Sequence, residues 1–360
     1  MALVYEGLRP VEEAWSGIPS GLGRGLSELG HEVVFARAAA PPIFERARRS
    51  AAARLPAALV VDPELSRLRS AFARRRFRRA GPVDAVVQLA TGFLLPAHPR
   101  IATYEDMTVI QAVESDPAYG RMPRRAREAW ISRQRACYSR ARVCLALSAW
   151  ASRSIERDYG VPGDKVQVVG AGRNIDPRPL ARDWWPPRYL FAGLDWGRKN
   201  GEGVLRAFRR VRAQIPEARL SLVGAHPDLE EAGVRCHGRL SLHSPPERRA
   251  LERLFEQATC FVMPSFSEPL GLVYSEAGAA GIPSIGTTAG GAPQAVGDAG
   301  VCVDPGDGEA LLAAMLRFAD PEVARDAGRR AAAKRGETTW RAVAARVGGA
   351  LGLGEEDKPG

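Results

Sequence analysis

Apolar runs with little polar alternation recur along the chain, spaced so that a helix fits between them. The first covers residues 1–5 and the next residues 32–36. Between them lie a loop, residues 6–20, and an amphipathic stretch, residues 21–31, with a glycine near its end. That order predicts strand, loop, helix, strand, the βαβ unit. Further strands are predicted over 84–88, 100–104, 142–148 and 165–170. Strands apolar on both faces suit a parallel sheet covered by helices on each side.

Residues 175–188 carry four prolines and no periodic pattern, which reads as a linker. A second series follows at once. Strands are predicted over 188–193, 219–224, 259–264, 282–286 and 301–303, with helices over 203–214 and 247–258. The tail, 338–353, has a helical pattern. The fold class is therefore α/β, with two doubly wound, Rossmann-like domains over 1–176 and 177–337. Residues 338–360 carry a C-terminal helix expected to pack back toward the first domain. Two such domains would place ligands in a central cleft at the strand ends.

Bulk properties agree with this layout. The 360 residues, 45% hydrophobic and 26% charged, suffice for two domains of ordinary size. No run approaches the ~18 apolar residues of a transmembrane helix, and the N-terminus lacks a secretory pattern, so a cytoplasmic location is expected. Five cysteines form no CxxC pair and sit mostly in apolar settings, as buried free thiols do. The five histidines are scattered, so no metal site is expected. The net charge of +10 comes nearly all from arginine, with basic runs at 46–49 and 74–79. Such runs are either solvated helix faces or patches for an anionic membrane surface. Nucleic acid is not expected as a partner, because no aromatic residues interleave with the basic ones in a reader motif.

The most informative local pattern is a pair of glutamates, Glu268 and Glu276, eight positions apart. One continuous helix would leave them ~80° apart. Pro269 and Gly271 suit a turn, and the residues after them suit a buried helix. A glutamate in the loop and another one turn into the helix could grip two ends of one ligand. The N–H groups of the helix start offer an anion site between them.

Four segments together resemble the retaining GT-B glycosyltransferases of the family 4 type. They are the Glu268–Glu276 segment, the strand and basic pair over 191–201, the glycine turn over 288–294, and the loop over 15–21. The resemblance covers nearly the whole chain and is strongest over 188–310. It implies an N-terminal acceptor-binding domain and a C-terminal domain for a nucleotide-diphosphate sugar, the donor substrate, with no separate cofactor. Arg198 and Lys199 match the pair that meets the diphosphate, as cationic side chains must where no metal does so. Glu276 matches the carboxylate that accepts hydrogen bonds from the ribose hydroxyls. Glu268 matches the glutamate beside the donor sugar. Backbone N–H groups at Leu270 and Gly271 would meet the β-phosphate or the sugar, and Gly17 would let its loop approach the phosphates.

Two departures from the family pattern stand out. Gln294 replaces a glutamate after the Gly-Gly turn, a motif read as structural. Where many relatives carry a histidine in the first domain, this chain has Glu105 and Asp106. Asp106 either contacts the acceptor or transferred sugar, or is a carboxylate at a helix start.

The reaction implied is metal-independent sugar transfer to an acceptor nucleophile with retention of anomeric configuration. The acceptor would be a small natural product, a glycan or a lipid, met by the loops over roughly 40–80 and 105–135. The alternatives are an inverting transferase or sugar-nucleotide epimerase of the same fold, and a non-catalytic nucleotide-sugar or nucleic-acid binder.

Overall fold

The computed structural model describes residues 1–45, 63–79 and 81–353, which form two compact units. Unit 1 runs from Met1 to Gly172 and includes the chain from Thr339 on; unit 2 is Arg173–Thr338.

Unit 1 is built on six strands: β1 (Ala2–Glu6), β2 (Val34–Ala38), β3 (Val86–Leu89), β4 (Ile101–Glu105), β5 (Val143–Ala146) and β6 (Val166–Val168). They pair in the order β2-β1-β3-β4-β5-β6, every pair parallel. The interior strands β3, β4 and β5 are buried along their whole length, which is why their sequences lack alternation. The connecting helices are α1 (Ile18–Ser27), α2 (Pro63–Arg79), α3 (Val109–Ser115), α4 (Pro117–Gly120), α5 (Arg124–Arg140) and α6 (Ala149–Tyr159).

The first helix corrects the expected boundaries. It starts at Ile18 because Pro19 fits a first turn, where its missing N–H has no intrahelical partner to lose. It stops at Ser27 because Gly30, at φ +90°, reverses the chain and lets the His31 N–H return to the Leu26 carbonyl at 3.1 Å. The basic run at 74–79 closes α2. Arg74, Arg75 and Arg78 are exposed, while Arg76 donates to the carbonyls of Arg37 (2.7 Å) and Ala39 (3.2 Å). The run at 46–49 lies outside the described residues.

Unit 2 repeats the wiring. Its strands are β7 (Arg188–Gly193), β8 (Arg219–Gly224), β9 (Val234–Cys236), β10 (Cys260–Val262), β11 (Ser284–Thr287) and β12 (Val301–Val303). The parallel order is β12-β11-β10-β7-β8-β9. Helices α7 (Gly201–Gln214), α8 (Pro245–Gln257), α9 (Leu272–Ala279), α10 (Ala292–Val296), α11 (Gly308–Arg317) and α12 (Pro321–Ala333) complete it. Strand β9 was not expected. It is three residues long and has no fully buried position, so it carries no apolar run.

The proline-rich segment is not free chain. Arg182 ties it to unit 2, donating to the carbonyls of Ala258 (2.5 Å) and Ala280 and lying over the Trp184 ring. In both sheets the strand order reverses beside the first strand, between β1 and β3 and between β7 and β10. Loops leaving the C-terminal ends of those strands diverge there and leave room for a ligand.

The last helix, α13 (Trp340–Ala350), packs on α1 within unit 1. Thr339 caps it by accepting the Ala342 N–H at 3.1 Å. Glycines make the close approach feasible: a Cβ at Gly25 would lie 2.2 Å from the Trp340 carbonyl oxygen, and one at Gly21 2.2 Å from the Trp340 ring. Gly349, by contrast, faces open space. In an exposed helix, Gly→Ala adds up to about 1 kcal/mol of stability. The expected signs are therefore opposite. Gly25→Ala lowers stability by about 1–3 kcal/mol through overpacking against backbone, whereas Gly349→Ala raises it slightly. Urea denaturation of the two variants checks this, and a more stable Gly25→Ala protein would contradict the packing.

Candidate functional site

The loops after β7 and β10 meet at the reversal point of the second sheet. Strand β7 ends at Gly193, where a Cβ would lie 3.0 Å from Lys199 Cγ. The chain then turns tightly: the Lys199 N–H bonds to the Asp195 carbonyl at 2.9 Å and the Gly201 N–H to the Trp196 carbonyl at 2.9 Å. Asn200 adopts a left-handed conformation, φ +59°, and its side chain donates to the Pro305 carbonyl at 2.8 Å. This turn directs the Lys199 side chain inward.

There the Lys199 ammonium contacts the Glu268 carboxylate. Both groups are largely buried, with side chains 13% and 7% exposed. Burial pulls the lysine below its ordinary pKa, and the charge of Glu268 offsets part of that effect. Ser265 donates to the same carboxylate oxygen at 3.4 Å. Arg198 turns away from this contact. Its guanidinium donates to the Ser267 carbonyl at 2.8 Å and lies 3.5 Å from Asp195. Its own carbonyl accepts the Phe266 N–H at 2.8 Å, so Arg198 stitches the two loops together.

The glycine turn at 288–294 braces the same loop. The Gly291 N–H bonds to the Glu268 carbonyl at 3.0 Å, and a Cβ at Gly290 would lie 2.1 Å from that oxygen. Only glycine permits this approach, at φ +71°. The turn thus fixes the backbone of Glu268.

Gly271, at φ +84°, precedes α9, and Leu270 beside it is buried. No side chain caps the first turn of α9. Tyr274 anchors the helix, its hydroxyl donating to the Met263 carbonyl at 2.7 Å. Glu276 lies in the second turn, buried, and its Oε1 accepts the Asn174 N–H at 3.2 Å. Burial pushes its pKa up to about 7, while the N–H groups of Asn174 and Ile175 and the charge of Arg173 pull it down. Lys199 and Glu268 are in contact, then, while Glu276 answers to a different part of the chain.

In unit 1 the loop before α1 holds three consecutive left-handed residues: Trp15 (φ +42°), Ser16 (φ +56°) and Gly17 (φ +78°). The first two cost roughly 1–2 kcal/mol each. Tertiary contacts hold them. Trp15 Nε1 donates to Asp106 Oδ2 at 3.1 Å, and the indole packs edge-on against Tyr104 with centroids 6.0 Å apart. Asp106 does not cap α3; Thr108 does, in a capping box with Gln111. Through Trp15 it fixes the loop that carries Gly17. Neighbouring Glu105 is buried, and desolvation holds its carboxyl well above the usual carboxylate range.

Ser265, Asn174, Asp195 and Trp15 were not singled out in the sequence. Each acts through a contact made across a turn or across the fold. Among the described residues, no cluster of three or more His, Cys, Asp or Glu could hold a metal ion. Among the same residues, no helix is long and apolar enough to cross a membrane.

Comparison with known proteins gives the same picture for both units. Residues 21–177 match the family described as glycosyltransferase family 4, and residues 186–320 match glycosyl transferases group 1. O-antigen chain mannosyltransferase B of Escherichia coli is 29% identical over 196 residues, 49% of this chain and 51% of that protein. A D-inositol 3-phosphate glycosyltransferase of Streptomyces griseus is 40% identical over 237 residues, 54% of this chain and 50% of its own. The chain thus spans about half the length of these curated relatives. Sucrose-phosphate synthase from Thermosynechococcus elongatus superposes with a TM-score of 0.69 at 18% identity, covering 97% of each chain. WaaG, a glycosyltransferase involved in lipopolysaccharide biosynthesis, gives 0.68 at 13% identity, covering 98% of this chain and 100% of its own. With one family matched across each unit and the GT-B fold shared along nearly the full length, the chain belongs to the group 1, family 4 glycosyltransferases.

Proposed function

We propose that the protein transfers a sugar from a nucleoside diphosphate donor to an acceptor nucleophile, with retention of anomeric configuration. The observation that carries this reading is the buried Lys199–Glu268 contact at the reversal point of the second sheet. A diphosphate leaving group gains negative charge as the glycosidic bond breaks. A partly desolvated ammonium meets that charge at close range, with the uncapped start of α9 as a second positive end. No metal is required in this scheme. Arg198 adds positive charge while holding the two loops in register. Glu268 accepts from the sugar hydroxyls, Glu276 from the ribose diol, and the N–H groups at Leu270 and Gly271 face the β-phosphate. Gly17 leaves its backbone open to a phosphate, with Asp106 as the residue that steadies its loop.

In the reaction, the bond from the anomeric carbon to the diphosphate oxygen breaks. The acceptor oxygen bonds to that carbon on the face the diphosphate leaves. The acceptor proton passes to the departing phosphate oxygen, so no strong protein base is needed. Names of relatives support a sugar, inositol phosphate or glycan as acceptor class. Exposed Arg74, Arg75 and Arg78 support contact of α2 with an anionic membrane surface, where a lipid-linked acceptor would be presented.

Lys199→Ala should cut the rate of donor turnover roughly a hundredfold, the usual cost of losing one charge-stabilising group. Circular dichroism should show a folded protein, and the anomeric proton of the product, read by NMR, should keep the configuration of the donor. A fully active Lys199→Ala variant would sink the site assignment, and an inverted product would sink retention.

Nucleotide binding should also depend on Glu276. Its carboxylate must be ionised to accept from two hydroxyls, and its pKa lies near 7. Affinity for a ribonucleoside diphosphate should therefore rise with pH through about 7, and fall about tenfold for each unit below it. Calorimetry from pH 5.5 to 8.5 checks this against Glu276→Gln, whose profile should lose that step.

A further inference from the structure

The Glu276 carboxylate is held by backbone rather than by a side-chain cation. Its donors, the N–H groups of Asn174 and Ile175, belong to a segment with no regular secondary structure. Something else must fix that segment, and Arg173 does so. Its side chain is buried, at 7% exposure. Its Nε and Nη2 donate to Asp176 Oδ1 at 2.7 and 2.5 Å. Its Nη1 donates to the Arg335 carbonyl at 2.6 Å and the Thr338 hydroxyl at 3.1 Å. The Arg173 N–H also bonds to the Thr338 carbonyl at 3.0 Å, so the first and last residues of unit 2 are joined.

The chain of contacts closes on itself. Arg335 lies 2.7 Å from Asp176 Oδ1 and donates to the carbonyl of Ala279, the last residue of α9, at 3.4 Å. Following the bonds from α9 leads through Arg335, Asp176, Arg173 and the Asn174 amide back to Glu276 on α9. Five hydrogen-bond donors on Arg173 would serve a plain structural clamp equally well. What a plain clamp does not require is that the next two N–H groups converge on a buried acid.

We infer that Arg173 is a positioning residue for donor binding: it holds the Asn174–Ile175 amides on the Glu276 carboxylate and thereby sets the orientation in which that carboxylate meets a ribose diol. The inference rests on the reading of Glu276 as the ribose ligand. The charged groups around the acid are Arg173 and Arg335, with Asp176 between them; Lys199 and Glu268, on the loops after β7 and β10, pair with each other. Both the amides and the Arg173 charge favour the ionised acid. Their loss must move its titration upward, so the same variant should weaken binding near neutrality and recover at higher pH.

The test uses the full chain and whichever of UDP, GDP or ADP the wild type binds most tightly. Affinities are measured by calorimetry from pH 6 to 9 for wild type, Arg173→Gln, Arg173→Lys and Asp176→Asn, each with the 2′-deoxy nucleotide as control. Arg173→Gln should bind roughly fivefold more weakly at pH 7 and regain most of that loss by pH 9, as follows if the proton affinity of Glu276 rises about tenfold. Its preference for ribose over deoxyribose should shrink in parallel at pH 7. Arg173→Lys keeps the charge but not the fork, and should show a smaller change in the same direction. If Arg173→Gln does not fold, Asp176→Asn, at a position whose side chain is 62% exposed, loosens the same clamp and carries the test through a reduced preference for ribose. Folded variants with the wild-type pH midpoint and the wild-type ribose preference would overturn the inference. Glu276→Gln separates the two levels: if it binds as the wild type does, the ribose reading itself fails. If it binds weakly while the Arg173 and Asp176 variants do not, only the positioning role fails.

Discussion

The contact between Lys199 and Glu268 is the constraint on which the rest of unit 2 depends. Removing a single charge from water costs several kcal/mol even after a protein relaxes around it. Neither side chain could stay both buried and charged at the end of the sheet without the other. The two come from loops 69 positions apart in sequence, so the pair exists only while both loops keep their places. This explains the density of backbone ties nearby. Arg198 joins the loops twice, the Asn200 side chain reaches Pro305, and the glycine turn closes on the Glu268 carbonyl.

The same wiring serves a different end in unit 1. Both sheets reverse order beside their first strand, so both offer a space at the strand ends. In unit 2 that space holds an ion pair. Unit 1 has its own ion pair there, because Glu6 at the end of β1 meets Arg69; Glu105, ending β4, is a buried acid without a cationic side chain beside it, and the next residue clamps a loop in a strained conformation. Strain of that kind persists only where the surroundings over-determine it. The Trp15–Asp106 hydrogen bond and the Tyr104 ring supply that determination. Asp106 therefore earns its place through the backbone of the loop, whatever its carboxylate later touches.

The sequence made the interior strands legible because a parallel strand buried on both faces is mostly apolar. β5 is apolar throughout, while β3 carries one buried polar residue, Gln88, β4 carries Thr103 and Glu105, and β7 opens on Arg188. Edge strands escape the rule: β9 has no buried residue, so nothing in Val234–Cys236 distinguished it from a loop. Helix starts were less legible than helix existence. Trp15 carries no turn residue's signature, and its left-handed backbone is held by tertiary contacts that no local pattern encodes. At the site, the loop-then-helix arrangement of Glu268 and Glu276 followed from Pro269 and Gly271. The partner of Glu276 did not, because Asn174 contributes a backbone N–H from 102 residues away, and any residue but proline carries one.

The two glutamates therefore differ for a physical reason as well as by position. Glu268 faces an ammonium, and its negative charge is compensated inside the protein. Glu276 faces amide dipoles, with a guanidinium further off, and burial brings its ionisation close to neutrality. A group in the first situation is costly to disturb, because withdrawing either partner strands a charge. A group in the second can trade one neutral donor for another at little cost, since N–H and O–H donors stabilise a carboxylate in the same manner. A neutral diol can thus engage Glu276 without breaking an ion pair, whereas an incoming anion must compete with Glu268 for Lys199. Under the proposed function, a phosphate would meet Lys199 beside the compensated Glu268, and a ribose diol would meet Glu276, eight residues further along one loop and helix.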